Sequence, residues 1–244
     1  MRRACSPCFV TERNHLHQLR RVDFGEGTYN EGWLQQLLHD VPDLLPVGEV
    51  DSSFTPLVSL GREINSIDNL FVSPEGRLTL VETKLWRNPQ ATREVVAQII
   101  DYATRLSFLS YEQFEIIAKK ALSPAPVTSS IYDLVKTKYP QAVPDEPEFI
   151  DEVQRTLKNG RFMLLVVGDG IRESVENMIG ILHKYPQMLF TFGLVELQVY
   201  EHEDLHGRLV IPQLLVNTKE VVRAVVRVQT EGAATVSVGL EEDE

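Results

Sequence analysis

A chain of 244 residues that is 43% hydrophobic and 24% charged is long enough for one sizeable domain and has the balance of an ordinary globular protein. No apolar run approaches the roughly 20 residues needed to cross a bilayer, and the basic opening MRRACSPCFVTERNHLHQLRR lacks the apolar segment of a secretory signal, so no membrane partner and a cytoplasmic location are expected. The net charge of −11 argues against a generic nucleic-acid binder, yet part of the acidity sits in the terminal GLEEDE, while Lys84, Arg87, Arg93, Arg105, Lys119 and Lys120 gather around one stretch of the chain.

Residues 1–28 read as an N-terminal arm of mixed charge, broken at Gly25 and Gly27. Cys5 and Cys8 form a C-x-x-C. A redox pair would usually sit between a strand and a helix, and a structural zinc site needs four ligands. His15 and His17 could complete one, but the spacing favours a plain, untethered arm. From Asn30 the pattern becomes helical, with Trp33, Leu34, Leu37, Leu38 and Val41 on one face and Pro42 as the stop. Glu31 falls in the first turn, where a carboxylate suits the helix dipole. After a Pro-punctuated stretch with a short strand at Leu57–Leu60, Ile67–Val72 and Leu78–Leu85 read as strands around a turn at Ser73–Arg77. Asn88-Pro89 starts a helix that runs to about Leu109, and Tyr111–Leu122 is a second.

The Pro/Ser-rich SPAPVTSS is a loop, and a helix at Glu148–Lys158 lies in the mixed region that follows. Phe162–Val167 has the continuous apolar character of a buried strand. Asp169-Gly170 reads as a turn into a helix at Glu173–Lys184, followed by strands at Leu189–Tyr200 and Leu209–Val216. Residues 29–218 therefore form one α/β domain around a central sheet. Residues 219–244 are a β-prone segment with an acidic tail, and the β-prone end could pair with a second copy of the chain to give a homodimer.

Alternation along a strand puts Leu80, Glu82 and Lys84 on one face, and Asp68, Leu70 and Val72 on one face of the preceding strand. A turn centred on Glu75 pairs Val72 with Leu78, Leu70 with Leu80 and Asp68 with Glu82. Paired Cβ atoms lie ~4.5–5.5 Å apart, so two carboxylates would meet and repel. A divalent cation removes that repulsion. Oxygen donors of this kind suit Mg²⁺, with Mn²⁺ as an alternative. Lys84, just beyond, could orient a water or neutralise charge developing on a phosphoryl group. On the next helix Glu94, Gln98, Asp101, Tyr102 and Arg105 share one side, and Val95, Val96, Ile99, Ile100, Ala103 and Leu106 form the apolar arc. Gln98 and Tyr102 could then border a cleft.

Asp68, then thirteen residues, then Glu82-Thr83-Lys84, followed by Gln98-x-x-x-Tyr102, resembles the signature of the PD-(D/E)XK nuclease superfamily. The last pair is similar to a motif of its RecB-like members, and the stretch INSIDNLFVSPEGRLTLVETKLWRNPQATREVVAQIIDYA is also similar to the nuclease domain of archaeal-type mismatch endonucleases. The resemblance covers residues 30–105, with LLVVGDGIRE and LFTFGLVELQVY similar to the later half of bacterial restriction-endonuclease-like proteins. It implies a restriction-endonuclease-like αβββαβ core, a mixed central sheet flanked by helices, and metal-dependent hydrolysis of DNA. It also implies that Asp68 and Glu82 ligate the metal with the Thr83 backbone carbonyl, that Lys84 is the catalytic lysine, and that Glu31 approaches the metal through water. Glu63 has less support, and Asp169 reads as a turn residue only. The acidic surface and the lack of a recognisable DNA-binding module keep two alternatives open. One is a non-catalytic binding or assembly module on the same fold. The other is a metal-dependent hydrolase of another phosphoester.

Overall fold

The computed structural model describes residues 7–22, 29–85, 91–122, 130–169, 190–204 and 206–217. Expectations for Cys5, Arg87, the Asn88-Pro89 helix start, the loop at 123–129, the helix at 173–184 and the β-prone end lie outside them. The described residues form an α/β protein with a mixed central sheet flanked by helices. No helix among them is long and apolar enough to cross a membrane.

Within the stretch read as an untethered arm, the described residues 7–22 are structured and joined to the sheet. Strands β1 (Cys8–Val10) and β2 (Leu16–Gln18) form an antiparallel hairpin, and β3 (Arg20–Arg21) joins the main sheet. Helix α1 (Glu31–Asp40) starts where Asn30 Oδ1 accepts the Trp33 N–H at 2.9 Å. It is followed by the single-turn α2 (Val47–Val50). Strand β4 (Val58–Ile64) is longer than the apolar Leu57–Leu60 suggested, because a bulge between Ser59 and Gly61 carries pairing past the polar Arg62 and Glu63. Strands β5 (Ile67–Val72) and β6 (Leu78–Leu85) have the expected bounds.

Helices α3 (Ala91–Ser107), α4 (Tyr111–Ala121), α5 (Ile131–Lys138) and α6 (Glu146–Asn159) come next. Helix α5 was not anticipated, although Ser130 and Asp133 spell its reciprocal capping box. Strands β7 (Met163–Asp169), β8 (Thr191–Glu201) and β9 (Leu209–Asn217) complete the set.

The main sheet has seven strands among the described residues, in the order β3–β8–β7–β6–β5–β4, with β9 also paired to β8. Strands β6, β7 and β8 are parallel to one another, and the β4–β5–β6 meander is antiparallel. Their side chains alternate between two cores. Leu70, Val72, Leu78, Leu80, Leu164 and Val166 face α3–α6, whereas Phe71, Val81, Met163, Leu165 and Val167 face Leu34 and Leu38 of α1. Because β7 is covered on both faces, its sequence reads as an unbroken apolar run from Met163 to Val167. The carboxyl ends of β6 and β7 lie side by side, with Lys84 opposite Gly168 and Leu85 opposite Asp169. Asp169 thus closes a strand and is not a turn residue.

The β5–β6 turn is pinned to α6. Gly76 has φ +72, and a Cβ there would lie 2.9 Å from the Val153 backbone nitrogen and 3.0 Å from Glu152 Cβ. Gly76→Ala therefore adds a left-handed residue with a side chain to a close backbone approach. It is expected to cost ~2–4 kcal/mol in denaturant unfolding. A loss below about 0.5 kcal/mol would show that the hairpin is free to shift away from α6.

Candidate metal centre

The β5–β6 ladder carries the expected pairs Val72–Leu78 and Leu70–Leu80, then ends at Asn69–Val81, one step before Asp68 and Glu82. The Asp68 side chain takes over where the ladder stops. Its Oδ2 accepts the Thr83 backbone N–H and the Thr83 hydroxyl, both at 2.7 Å. A carboxylate oxygen so replaces the carbonyl that a continuing strand would supply. Continued by one step, the register sets Asp68 opposite Glu82, but no ladder pair forms there and Asp68 bonds Thr83 instead.

Glu82 follows Leu78 and Leu80 on the face that looks toward α3–α6. It is 5% exposed, and its Oε2 has no hydrogen-bond partner among the described residues. Burial is the main reason its pKa is pushed up to about 8; the Asp68 carboxylate raises it further, the Lys84 ammonium lowers it, and Glu31 adds a smaller upward push. Asp68 is also raised, chiefly by burial, against the opposing pull of the Thr83 N–H, the Thr83 hydroxyl and the Gln35 side chain.

Glu31 closes the site from α1. Its Oε1 lies 3.3 Å from Lys84 Nζ and accepts the Leu85 N–H at 3.1 Å. The carboxylate in the first turn of α1 is thereby bound to the end of β6, beyond any service to the helix dipole. The structure brings Glu31, Asp68, Glu82, Thr83 and Lys84 together at the carboxyl end of β6, where parallel α/β sheets commonly bind ligands.

Gln98 and Tyr102 are arranged differently. Gln98 Nε2 donates to Tyr102 Oη at 2.6 Å, and neither residue bonds to the acidic group among the described residues. Tyr102, placed on the polar side by the helical wheel, has its ring in the core with Val95, Ile99 and Leu106. An aromatic ring at the margin of an apolar arc buries more area by turning inward. Glu63 is exposed, with φ +52, and makes no bond to the site among the described residues. Two of the basic residues near the stretch are engaged on their own helices, Arg105 with Asp101 at 2.6 Å and Lys119 with Glu115 at 3.3 Å.

Three contributors were not singled out from the sequence. Gln35 influences Asp68 through its side chain and accepts Arg62 Nη2 at 3.1 Å, and its backbone carbonyl accepts Asn69 Nδ2 at 2.9 Å. A signal existed: Glu31, Gln35 and His39 are spaced four apart and form a polar line along α1. Each reaches the sheet, His39 through Ser59 Oγ at 2.7 Å.

The donor set fits a hard divalent cation. A buried carboxylate oxygen without a partner beside a second carboxylate is costly, and a cation satisfies both. As they stand, the carboxylates are turned toward Thr83 and Lys84, and three donor atoms within 4.8 Å of one another occur, among the described residues, at a different place. No protein-family model matches the chain, and no curated protein or solved structure does either.

Glu82 makes stability depend on pH in the cation-free protein. Between about pH 4.5 and 8 the folded state keeps a proton that the unfolded state has released, so stability falls as pH rises through that window and levels off above it. Glu82→Gln lacks this loss. The wild type should lose roughly 5–10 °C in Tm relative to Glu82→Gln between pH 5 and pH 9. Parallel Tm curves would contradict the burial of an ionisable Glu82.

Proposed function

We propose that the chain is a divalent-metal-dependent nuclease that hydrolyses DNA phosphodiester bonds. The observation that carries this reading is the buried, unpartnered Glu82 carboxylate beside Asp68, with Lys84 two residues on and held by Glu31. The order α1, β4–β6, α3, β7 supports it too, because the αβββαβ core implied by the resemblance has the same succession.

Glu82 and Asp68 would hold the cation, with the Thr83 carbonyl as a further oxygen donor. A bound Mg²⁺ or Mn²⁺ supplies Lewis-acid stabilisation of the phosphoryl and leaving oxygens. The chain's own contribution is positional. Thr83 fixes Asp68 through two hydrogen bonds to Oδ2, and the Gln35 side chain steadies the same carboxylate. Glu31 keeps the Lys84 ammonium at the strand end, where its charge can orient a water and offset negative charge on the attacked phosphate. Glu31 acts through Lys84 and is a positioning residue. Gln98, exposed on α3, would enter through contact with substrate, with the buried Tyr102 holding it through its hydroxyl.

Purified protein with Mg²⁺ or Mn²⁺ should nick or degrade DNA. Lys84→Ala should lower the rate by ~10²–10³-fold while leaving cation binding in place, whereas Glu82→Gln should remove both. Equal cleavage by wild type and Lys84→Ala would overturn the assignment. Cation binding without cleavage of any polynucleotide would favour a hydrolase of another phosphoester, and absence of cation binding a non-catalytic module.

A further inference from the structure

His17 lies in β2, His202 follows β8 directly, and Asp204 sits in the turn beyond. One donor atom from each lies within 4.8 Å of the others. The two imidazoles meet edge to face with centroids 4.8 Å apart, and the Asp204 backbone N–H donates to His202 Nδ1 at 3.1 Å, a bond that the ring gives up when a nitrogen lone pair turns to a cation. A cavity of about 630 Å³ opens beside His202 and Asp204, and an adjoining hollow brings Cys8 and His206 to the same histidine. The site thus has three side-chain donors, with open space beside His202 and Asp204 and with Cys8 and His206 lining the next hollow.

We propose that His17, His202 and Asp204 form a second cation site, selective for a borderline transition ion of the Zn²⁺ class, which fastens the N-terminal hairpin to the end of β8. Imidazole nitrogens suit such ions and do not suit Mg²⁺, which takes oxygen donors. Bonds of ~2.0–2.1 Å in a tetrahedron set donors roughly 3.4 Å apart, so the side chains need to draw together by no more than about 1.4 Å. Asp204 is exposed and free to make that movement. The hairpin has reason to need a fastening. Phe9, Val10 and Leu16 are all exposed, so β1 and β2 bury little apolar surface of their own. An ion joining residue 17 to residues 202–204 closes a very long loop and stabilises the folded arm by its binding free energy. This site is separate from the carboxylates of Glu31, Asp68 and Glu82 in both position and donor type.

The test uses the full chain, stripped of metal with a chelator and titrated with Co²⁺ as a visible-absorbing substitute for Zn²⁺. One equivalent should bind with the absorption of a four-coordinate site, Zn²⁺ should displace it, and excess Mg²⁺ should not. His17→Ala, His202→Ala and the nearly isosteric Asp204→Asn should each weaken binding by roughly 10–100-fold. Asp204 lies on the surface, so Asp204→Asn keeps the comparison valid if a histidine variant is unstable. The double variant Asp68→Asn/Glu82→Gln should keep the four-coordinate absorption of the wild type, whatever Co²⁺ it loses from the carboxylates. No Co²⁺ binding by the wild type would overturn the proposal. So would undiminished affinity in Asp204→Asn and both histidine variants, or binding that vanishes in Cys5→Ser/Cys8→Ser but persists in all three.

Discussion

Glu82 is a carboxylic acid buried at the end of a central strand, with one oxygen unpartnered and a second carboxyl group beside it. In a stable core such a group is normally replaced or paired, since an unsatisfied buried oxygen costs ~1–3 kcal/mol and ionisation there costs more. The strand places it there regardless: Leu78 and Leu80 fix the face, and β7 on one side and β5 on the other fix the strand. The group is held neutral near pH 7 by burial and by Asp68, and is ready to ionise when positive charge arrives. Local destabilisation of this kind is expected where a protein reserves a position for a ligand.

Around that position the neighbouring elements act as a brace. Helix α1 meets the sheet through Leu34 and Leu38, and through polar contacts one turn apart: Glu31 with Lys84 and the Leu85 N–H, Gln35 with Arg62 and Asn69, and His39 with Ser59. Asp68 ends the β5–β6 ladder and bonds Thr83 in place of a further backbone pair, beside the Glu82 carboxylate. Gly76 holds the far end of the same hairpin against α6. The hairpin is therefore fixed at both ends, and a side-chain constellation set on it can be held within the tolerances that chemistry requires.

Much of this was legible from residue patterns. Period-two alternation in β5 and β6, the Pro-Glu-Gly turn and the apolar arc of α3 sufficed for the strands, their register and their faces, because each is decided by burial on one side. The point where the ladder stops was not legible. At the end of a ladder a side chain can replace a backbone acceptor, and periodicity carries no record of that exchange. Tyr102 was misplaced for a similar reason, since a wheel assigns angles but does not weigh ring area at the margin. Helix α5 was overlooked although its Ser130–Asp133 cap is written in the sequence. The grouping of His17 with His202 and Asp204 depends on contacts between distant segments, and local pattern says nothing of those.

Binding of a divalent cation should displace the Glu82 proton into the buffer. Calorimetric titration of Mn²⁺ at pH 7, repeated in buffers of different ionisation enthalpy, counts protons released per ion bound. With Glu82 titrating near 8, nearly one proton should be released by the wild type, and that proton should be missing from whatever binding survives in Glu82→Gln. Mn²⁺ binding with no proton release, or with the same release in both proteins, would contradict the account.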